Sequence, residues 1–205
     1  MIVTDIVELT KSRYRVFIDG SFAFVLYKGE LRKYSVEKDK EITVEVYSEL
    51  TALVLPKRAK MRSMKLLENK DYTEKQLRDK LKQGEYPKEA IEEAVSYVKS
   101  YHYIDDDRYA AAYIEYHMEN KSRQRIFQDL LKKGIDKACI EKQWEKLELM
   151  GLQGNEEEMI RALLEKKHYF EKTADIKEQR RVYAFLMRRG FSGDLVRKIM
   201  NTEIC

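Results

Sequence analysis

The apolar positions of this chain follow one pattern three times. In each copy, five apolar residues are separated by steps of 4, 5, 5 and 4 residues. The copies are Leu77, Leu81, Tyr86, Ile91 and Val95; Ile126, Leu130, Ile135, Ile140 and Trp144; and Val182, Leu186, Phe191, Val196 and Met200. The intervals are 49 and 56 residues, and we place the seven extra residues near 168–176. Such a period is typical of stacked helical repeats, because no single unit buries its apolar face alone.

Helix-boundary signals divide each repeat into three helices. Thr73 with Gln76 forms a capping box, and Pro87 suits the first turn of the following helix. Gly134 and Gly190 each follow a core leucine by four residues, where a left-handed cap ends a helix. We therefore expect nine helices in three units of three, which form an elongated array.

The N-terminal region follows a different pattern. Residues 13–26 contain two runs rich in aromatic and β-branched residues, joined by Asp19-Gly20, which favours a type I′ turn. A third strand is expected at residues 2–9, since an isolated hairpin is marginally stable. Residues 42–54 could begin as strand or helix, and Pro56 is expected to mark the boundary.

The predicted fold class is therefore mainly α, with three tandem three-helix repeats after a small N-terminal β module. The expected domains are the β-hairpin module at 1–54 and the repeats at 55–104, 105–152 and 153–205.

Composition agrees with long, solvated helices. Charged residues make up 37% of the chain, with only two prolines and eight glycines, and an apolar content of 43% is sufficient for folding. The formal net charge is +4, but residues 166–200 hold ten Lys or Arg against four Asp or Glu. This excess suits a polyanionic partner, although a solvated face is the alternative explanation.

Cysteine spacing and hydropathy indicate the cellular setting. Cys139 and Cys205 lack the spacing of a zinc or redox site, and Cys139, beside a core isoleucine, is interpreted as an inert packed thiol. No apolar run approaches membrane-spanning length, and no signal peptide is recognisable. We expect a cytoplasmic protein with reduced thiols and no membrane association.

Two features invite a chemical interpretation. Asp105, Asp106 and Asp107 could hold magnesium for a nuclease, but no second acidic motif accompanies them, so helix capping is favoured. Three histidines, His102, His117 and His168, show no metal-ligand spacing. Gly-rich phosphate loops and nucleophile motifs are also missing from the sequence, so we expect no catalytic residue, no metal, no cofactor and no enzymatic activity.

Three tyrosines share one face of the helix that follows the aspartates. Tyr109, Tyr113 and Tyr116 could stack on nucleic-acid bases, but an apolar helical face more often packs, and packing on the neighbouring unit is favoured.

Superposition of the repeats reveals a basic stripe in units two and three. At the 56-residue shift, Lys121, Arg125, Lys132 and Lys142 correspond to Lys177, Arg181, Arg188 and Lys198. Unit one has Tyr72, Gln76, Gln83 and Glu93 at these positions. The helix dipole could account for the cations near helix C-termini, but not for Lys121 and Lys177. We therefore predict that these eight cations contact an anionic partner.

Three segments resemble the signatures of the RecX family, the regulators of RecA recombinase. Residues 103–110 (YIDDDRYA) resemble Y-L-D-D-x-R-F-A, residues 125–135 resemble R-I-x-x-E-L-x-x-K-G-I, and residues 188–192 (RRGFS) match a segment near the family's C-terminus. The resemblance covers about residues 57–200. Departures are Gly84-Glu85-Tyr86, where the turn glycine is displaced by one position, and Ser122 and Asp129, where glycine and glutamate are usual.

The resemblance implies a regulator that binds the RecA filament on single-stranded DNA, and we expect it to be a monomer. It implies inhibition of RecA ATPase, coprotease and strand-exchange activity in DNA repair and the SOS response, with no cofactor. We expect units two and three to supply the electrostatic contact, while unit one and the β module add protein contacts. The alternatives are a stand-alone DNA-binding helical module, which would bind DNA without RecA, and a magnesium nuclease, which Asp106→Asn would inactivate.

Overall fold

The computed structural model describes residues 1–169 and 175–201. Its first elements form an antiparallel sheet in the order β1-β2-β3. The strands are β1 (Val3–Thr10), β2 (Arg13–Ile18) and β3 (Ser21–Tyr27). Asp19 and Gly20 join β2 to β3 with φ angles of 47° and 80°, as a type I′ turn requires. The predicted hairpin and third strand are confirmed.

A continuous helical run crosses the predicted boundary at Pro56. Its parts are α2 (Val44–Glu49), a π-helical turn (Leu50–Val54) and α3 (Leu55–Leu67), preceded by the short α1 (Lys28–Lys33). Leu55 keeps helical angles of −67° and −43° although it precedes proline, and its N–H bonds the Leu50 carbonyl five residues back. The wider turn accommodates the proline ring and its missing N–H. Pro56 thus lies at the start of α3, where a boundary was predicted, but the helical run continues across it.

The predicted three helices per unit are confirmed. Unit one contains α3, α4 (Glu74–Gln83) and α5 (Lys88–Ser100); unit two contains α6 (Asp106–His117), α7 (Arg123–Lys132) and α8 (Lys137–Leu149); unit three contains α9 (Glu156–Lys166), α10 (Ile176–Arg188) and α11 (Gly193–Asn201). Helix α10 has 13 residues against 10 in α7. This earlier start accounts for part of the seven-residue excess, while residues 170–174 of the predicted insertion, and Cys205, lie outside the described residues.

Capping predictions are largely confirmed. Thr73 and Gln76 form the capping box of α4, while Pro87 is the N-cap of α5, one residue before the first turn. Gly134 and Gly190 have φ angles of 93° and 87°. The N–H of the residue after each glycine bonds the carbonyl of the core leucine, which is the Schellman arrangement.

Unit one forms the same turn without a glycine at the left-handed position. Glu85 has φ 61°, and the Tyr86 N–H bonds the Leu81 carbonyl at 3.3 Å. The Glu85 carboxylate accepts hydrogen bonds from the Arg15 guanidinium of β2, which lowers the pKa of Glu85. Gly84 allows a close ring contact, because a Cβ there would lie 2.9 Å from the Tyr86 ring.

The apolar residues form three cores within two compact units. Sheet residues and the apolar residues of α3 to α5 share one core in the unit Met1–Asp105. The second compact unit begins at Asp106 and contains two cores. One is formed by α6 to α8, which are unit two of the repeat, and the other by α9 to α11, which are unit three. All members of the three apolar series are buried except Tyr86, which is half-buried. The predicted domain limits remain a proposal.

No helix in the described parts of the chain is both long enough and apolar enough to cross a membrane.

Candidate polyanion-binding site

The basic positions of unit three share one exposed face of α10. Asp175 caps α10 through its side chain, so the helix begins early enough to include Lys177. Lys177, Arg181 and Arg188 are exposed, and within residues 1–169 and 175–201 none of them forms a hydrogen bond or ion pair. Their spacing places them within about 40° around the helix. Helix α10 therefore presents three uncompensated positive charges.

The corresponding positions of unit two are partly compensated. Lys121 precedes α7, and its Nζ lies 2.9 Å from the Tyr113 hydroxyl and 2.9 Å from Asp129 Oδ2, so its side chain is only 29% exposed. Burial disfavours its charge, but the hydrogen bonds to Tyr113 and Asp129 prevail and raise the pKa of Lys121. Arg125 Nε lies 3.4 Å from Asp129 Oδ1, and Lys132 is exposed. Arg125 and Lys132 are thus more available than Lys121.

A groove between α7 and the C-terminal end of α10 brings four cations together. Lys121, Arg125, Arg188 and Arg189 line this basic groove, which has a volume of about 640 Å³. Glu119 is the one carboxylate among the lining residues. The apolar part of the lining comes from Met159, Ala162, Leu163 and Phe191. Positive charge therefore dominates a concave surface that has apolar walls, where an anion is attracted more strongly than on a flat surface.

Ser122 fixes one wall of the basic groove. Its hydroxyl donates a hydrogen bond to the Arg189 carbonyl at 2.8 Å and accepts one from the Arg125 N–H at 3.2 Å. The same side chain thus caps α7 and attaches the α10 turn to it. The serine found where glycine is usual in the resembled pattern has a structural role.

Arg189 was not among the cations that the sequence pattern singled out. At the 56-residue shift it corresponds to Lys133, so the superposition that found the stripe could also have found this pair. Both cations lie over aromatic rings: Lys133 Nζ is 5.2 Å from the Tyr113 centroid, and the Arg189 guanidinium is 4.8 Å from that of Phe185. Aromatic contact on one face leaves the rest of a guanidinium able to bind phosphate.

The two remaining predicted cations form ion pairs within their own units. Lys142 Nζ lies 2.7 Å from Asp107 Oδ2, and Lys198 Nζ lies 2.8 Å from Glu157 Oε1. Each pair joins the third helix of its unit to the first. The structure therefore separates Lys142 and Lys198 from the basic groove, and any contact they make with a partner remains a prediction.

Unit one contains the same ion pair with its charges exchanged. Lys60 of α3 lies 2.7 Å from Glu93 of α5, the residue that corresponds to Lys142. The exchange follows the composition of the first helices. Helix α3 has five Lys or Arg and no Asp or Glu, whereas acidic residues outnumber basic ones in α6 and α9. Glu93 is thus the partner of a basic helix.

Helix α3 gives unit one a basic surface that the superposition did not reveal. Arg58 is turned inward, where its guanidinium donates to the Val25 carbonyl and the Glu30 carboxylate, both at 2.6 Å. Three further cations, Lys57, Arg62 and Lys65, are exposed and have no ion-pair partner in the part of the chain that the structure describes. The stripe comparison missed them because they belong to the first helix of the unit.

The acidic triplet begins α6. Asp106 and Asp107 lie in its first turn, where carboxylates interact favourably with the helix dipole. Asp107 also accepts a hydrogen bond from the Cys139 thiol at 3.0 Å. Burial, together with this carboxylate, raises the pKa of Cys139 to about 12, as expected for an unreactive thiol. Among the described residues, no group of three or more His, Cys, Asp or Glu is placed to hold a metal ion.

The tyrosines of α6 divide into two classes. Tyr109 and Tyr113 are half-buried against the core of their own unit, and Lys133 lies over both rings. Tyr116 is 78% exposed and contacts the His117 ring. Tyr109 and Tyr113 therefore pack on their own unit, not on the neighbouring unit as predicted, and the packing prediction is wrong for Tyr116.

Family models match most of the helical part of the chain. They describe the first, second and third three-helix domains of RecX and match residues 59–97, 105–142 and 155–200. The "Regulatory protein RecX" of Caldanaerobacter subterraneus is 38% identical over 203 residues, which cover 98% of this chain and 99% of the relative. The chain belongs to the RecX family. It is therefore a RecX-family regulator, as the resemblance implied.

Further RecX proteins are more distant, and their matches cover between 73% and 98% of this chain. The "Regulatory protein RecX" of Clostridium beijerinckii is 28% identical over 98% of this chain and 95% of its own length. A solved structure described as "regulatory protein RecX" shares the fold with a TM-score of 0.62 at 23% identity, over 97% of this chain and 98% of that one. The RecX structure from Lactobacillus salivarius has a TM-score of 0.60 at 23% identity, over 73% and 96%.

The RecX signature segments lie at helix ends. Residues 103–110 contain the connection from α5 to α6 and the start of α6. Residues 125–135 contain most of α7 and its left-handed turn, and residues 188–192 form the corresponding turn at the end of α10. The last two segments also supply Arg125 and Arg188 to the basic groove. In this RecX chain, residues that shape the fold are therefore adjacent to residues available for a partner.

Proposed function

We propose that this chain binds the RecA filament formed on single-stranded DNA and inhibits its ATPase, coprotease and strand-exchange activities. The observation that carries the proposal is the grouping of four cations in the basic groove, continued along α10 by Lys177 and Arg181. This surface is complementary to DNA phosphates and to an acidic protein face. The proposed setting is the cytoplasm, in DNA repair and the SOS response.

The contact is assigned mainly to cations that have no ion-pair partner among residues 1–169 and 175–201. Lys132, Lys177, Arg181 and Arg188 can each neutralise a phosphate without breaking an ion pair. Lys121 would first have to leave Asp129. On a single strand, each phosphate contact contributes about 0.7 to the slope of log affinity against log salt. Binding should therefore weaken steeply as salt rises.

Charge reversal on α10 tests the proposal. RecA ATPase and strand exchange are measured on single-stranded DNA, across salt concentrations, with the wild-type chain and with Arg181→Glu/Arg188→Glu. The matched control is Lys75→Glu/Lys82→Glu in α4, an exposed pair with the same seven-residue spacing and the same change in net charge. We expect the α10 variant to need at least about tenfold more protein for half-maximal inhibition, with a shallower salt slope, while the control behaves as wild type.

Two results would contradict the proposal. One is a wild-type chain that leaves RecA activity unchanged at stoichiometric concentration. The other is an equal loss of inhibition in both charge-reversal variants, since the effect would then follow net charge rather than the basic groove.

The alternative is a stand-alone DNA-binding helical module. The free cations of α10 favour it, because they require no recombinase to meet phosphates. Binding to single- and double-stranded DNA without RecA distinguishes the two functions. Affinity for bare DNA equal to that for the filament would favour the module.

A further inference from the structure

Three exposed tyrosines form a ladder at the C-terminal end of α5. The ring centroids of Tyr97 and Tyr101 are 5.0 Å apart, and those of Tyr101 and Tyr103 are 5.9 Å apart with only 19° between the ring planes. The residues are 36%, 58% and 45% exposed in chain order. Within the described residues, none of the three hydroxyl groups has a hydrogen-bond partner. The tyrosine ladder thus leaves ring faces and hydroxyl groups open to a ligand.

The backbone holds the tyrosine ladder in place. Tyr101 is the C-cap of α5, and His102 follows it with φ 55°. The Tyr103 N–H then bonds the Val98 carbonyl at 2.9 Å, and the next residue, Ile104, is buried. This left-handed turn places the Tyr103 ring beside that of Tyr101. The rings therefore rest on a fixed helix end.

Positive charge accompanies the tyrosine ladder. Lys60 Nζ lies 5.3 Å from the Tyr97 centroid, and α3, which carries Lys60, packs along α5. Lys60 is also paired with Glu93, and the exposed Lys57 lies about 60° from Lys60 around α3, whereas Arg62 and Lys65 lie about 140° or more away. An aromatic platform beside a basic helix is the combination found in proteins that bind single-stranded nucleic acids, where bases stack on rings and cations meet the backbone.

We propose that the tyrosine ladder is a base-stacking platform for single-stranded DNA, with Lys57 and Lys60 of α3 beside it. Charge favours nucleic acid over a protein partner, because every charged residue of α3 is positive. The choice of single-stranded DNA rests on the proposed function. The inference assigns unit one a nucleic-acid contact, in place of the purely protein contact expected from its sequence.

Stacking and phosphate binding can be measured separately. Fluorescence anisotropy would follow binding of the full-length chain, without RecA, to a labelled oligothymidine and to an abasic strand of equal length and charge. The variants are Tyr101→Ala and Tyr103→Ala, with Tyr101→Phe and Tyr103→Phe as conservative counterparts. Tyr116→Ala is the control, because Tyr116 is an exposed tyrosine outside the ladder. Circular dichroism verifies that each variant is folded.

We expect each ladder alanine variant to weaken oligothymidine binding by about fivefold to a hundredfold, with the salt slope unchanged. The phenylalanine variants and Tyr116→Ala should bind as wild type. The abasic strand should bind the wild type as weakly as oligothymidine binds the ladder variants. This last comparison needs no substitution, so it tests the inference even if a variant does not fold.

Three outcomes would overturn the inference. One is equal wild-type affinity for the abasic and base-containing strands, and another is full affinity in both alanine variants. The third is a ladder variant that keeps its DNA affinity but loses RecA inhibition, which would assign the tyrosines to a protein partner and leave the proposed function intact. Conversely, stacking on DNA without any effect on RecA would uphold the inference while the proposed function fails.

Discussion

The Ser122 hydroxyl oxygen lies 2.8 Å from the point where a Cβ atom on residue 190 would be, and residue 190 is glycine. Gly190 also has φ 87°, a conformation that L-residues rarely adopt. Two independent constraints therefore act on this glycine, one from its own backbone and one from the capping residue of α7. Together they fix the turn that carries Arg188 and Arg189 into the basic groove.

Gly190→Ala should lower the free energy of unfolding by about 2–5 kcal/mol, measured by urea denaturation. About 1–2 kcal/mol comes from the left-handed backbone and about 1–3 kcal/mol from overlap with Ser122. Gly151→Ala is the matched control, since Gly151 has φ 79° and no atom lies within 4 Å of the point that its Cβ would occupy. It should lose only the backbone contribution.

Ser122→Gly in the Gly190→Ala background should recover part of the lost stability, because it removes the overlap and leaves the backbone strain. Glycine is a tolerable N-cap, so the serine substitution alone should cost no more than about 1–2 kcal/mol, mainly from the lost bond to the Arg189 carbonyl. Equal losses in Gly190→Ala and Gly151→Ala would mean that the contact with Ser122 imposes no constraint.

Glu85 offers the opposite experiment, since it occupies a left-handed position without being glycine. In an Arg15→Ala background, Glu85→Gly should raise the free energy of unfolding by about 1 kcal/mol, because the backbone strain is relieved and no ion pair remains to be lost. In the wild-type background the gain should be smaller, since the substitution also removes the bond to Arg15. Urea denaturation of the four proteins measures this coupling. A gain that does not depend on residue 15 would show that the ion pair does not compensate the strain.

The ion pair between Lys142 and Asp107 should tolerate exchange of its charges. Lys142→Glu places two carboxylates together and should lower the urea midpoint. For so exposed a pair, the corresponding loss in the free energy of unfolding should be only a fraction of about 1 kcal/mol. Adding Asp107→Lys recreates the polarity of Lys60 and Glu93 and should restore the midpoint. The double variant keeps the net charge, so its DNA affinity is also informative. Weaker binding by this stable variant would assign Lys142 the direct contact predicted from the sequence.

The Cys139 thiol should react slowly. In a Cys205→Ser background it is the only thiol, and at pH 8.5 iodoacetamide should modify it at least about tenfold more slowly than the same chain unfolded in urea. The cause is a pKa of about 12, due first to burial and then to Asp107. Asp107→Asn should therefore accelerate the reaction only modestly. Equal rates in the folded and unfolded chains would refute this account.

Local patterns predicted most of the fold. The turn at Asp19-Gly20 could be predicted because both positions need positive φ, which these two residues tolerate. The core residues could be predicted because buried positions recur along a helix at a regular spacing. The lost N–H of a proline usually ends a helix, whereas at Pro56 a π-helical turn accommodates this loss and the helical run continues into α3. Nothing in the local pattern distinguishes these two outcomes.

The site was only partly predictable, because compensation of a charge depends on residues distant in sequence. Lys121 and Lys177 are equivalent in the repeat, but Asp129 corresponds to Phe185, so among the described residues Lys121 forms an ion pair and Lys177 does not. Lys142 meets Asp107 across 35 residues, a contact that helical spacing alone cannot reveal. Exposure of the α10 stripe, by contrast, follows from periodicity.

The reversed ion pair of unit one also bears on how the chain folds. Repeats with one shared apolar pattern can pair a first helix with the third helix of the wrong unit, since the apolar contacts would be similar. If α3 docked on α8, Lys60 would face Lys142, and if α6 docked on α5, Asp107 would face Glu93; both encounters are repulsive. In units two and three the acidic residue lies in the first helix and the lysine in the third, so exchange of helices between these units brings no like charges together. The opposite polarity of the two ion pairs therefore disfavours helix exchange between units one and two, on either side of the division at Asp105 and Asp106. Helix exchange between units two and three is left to be prevented by chain connectivity.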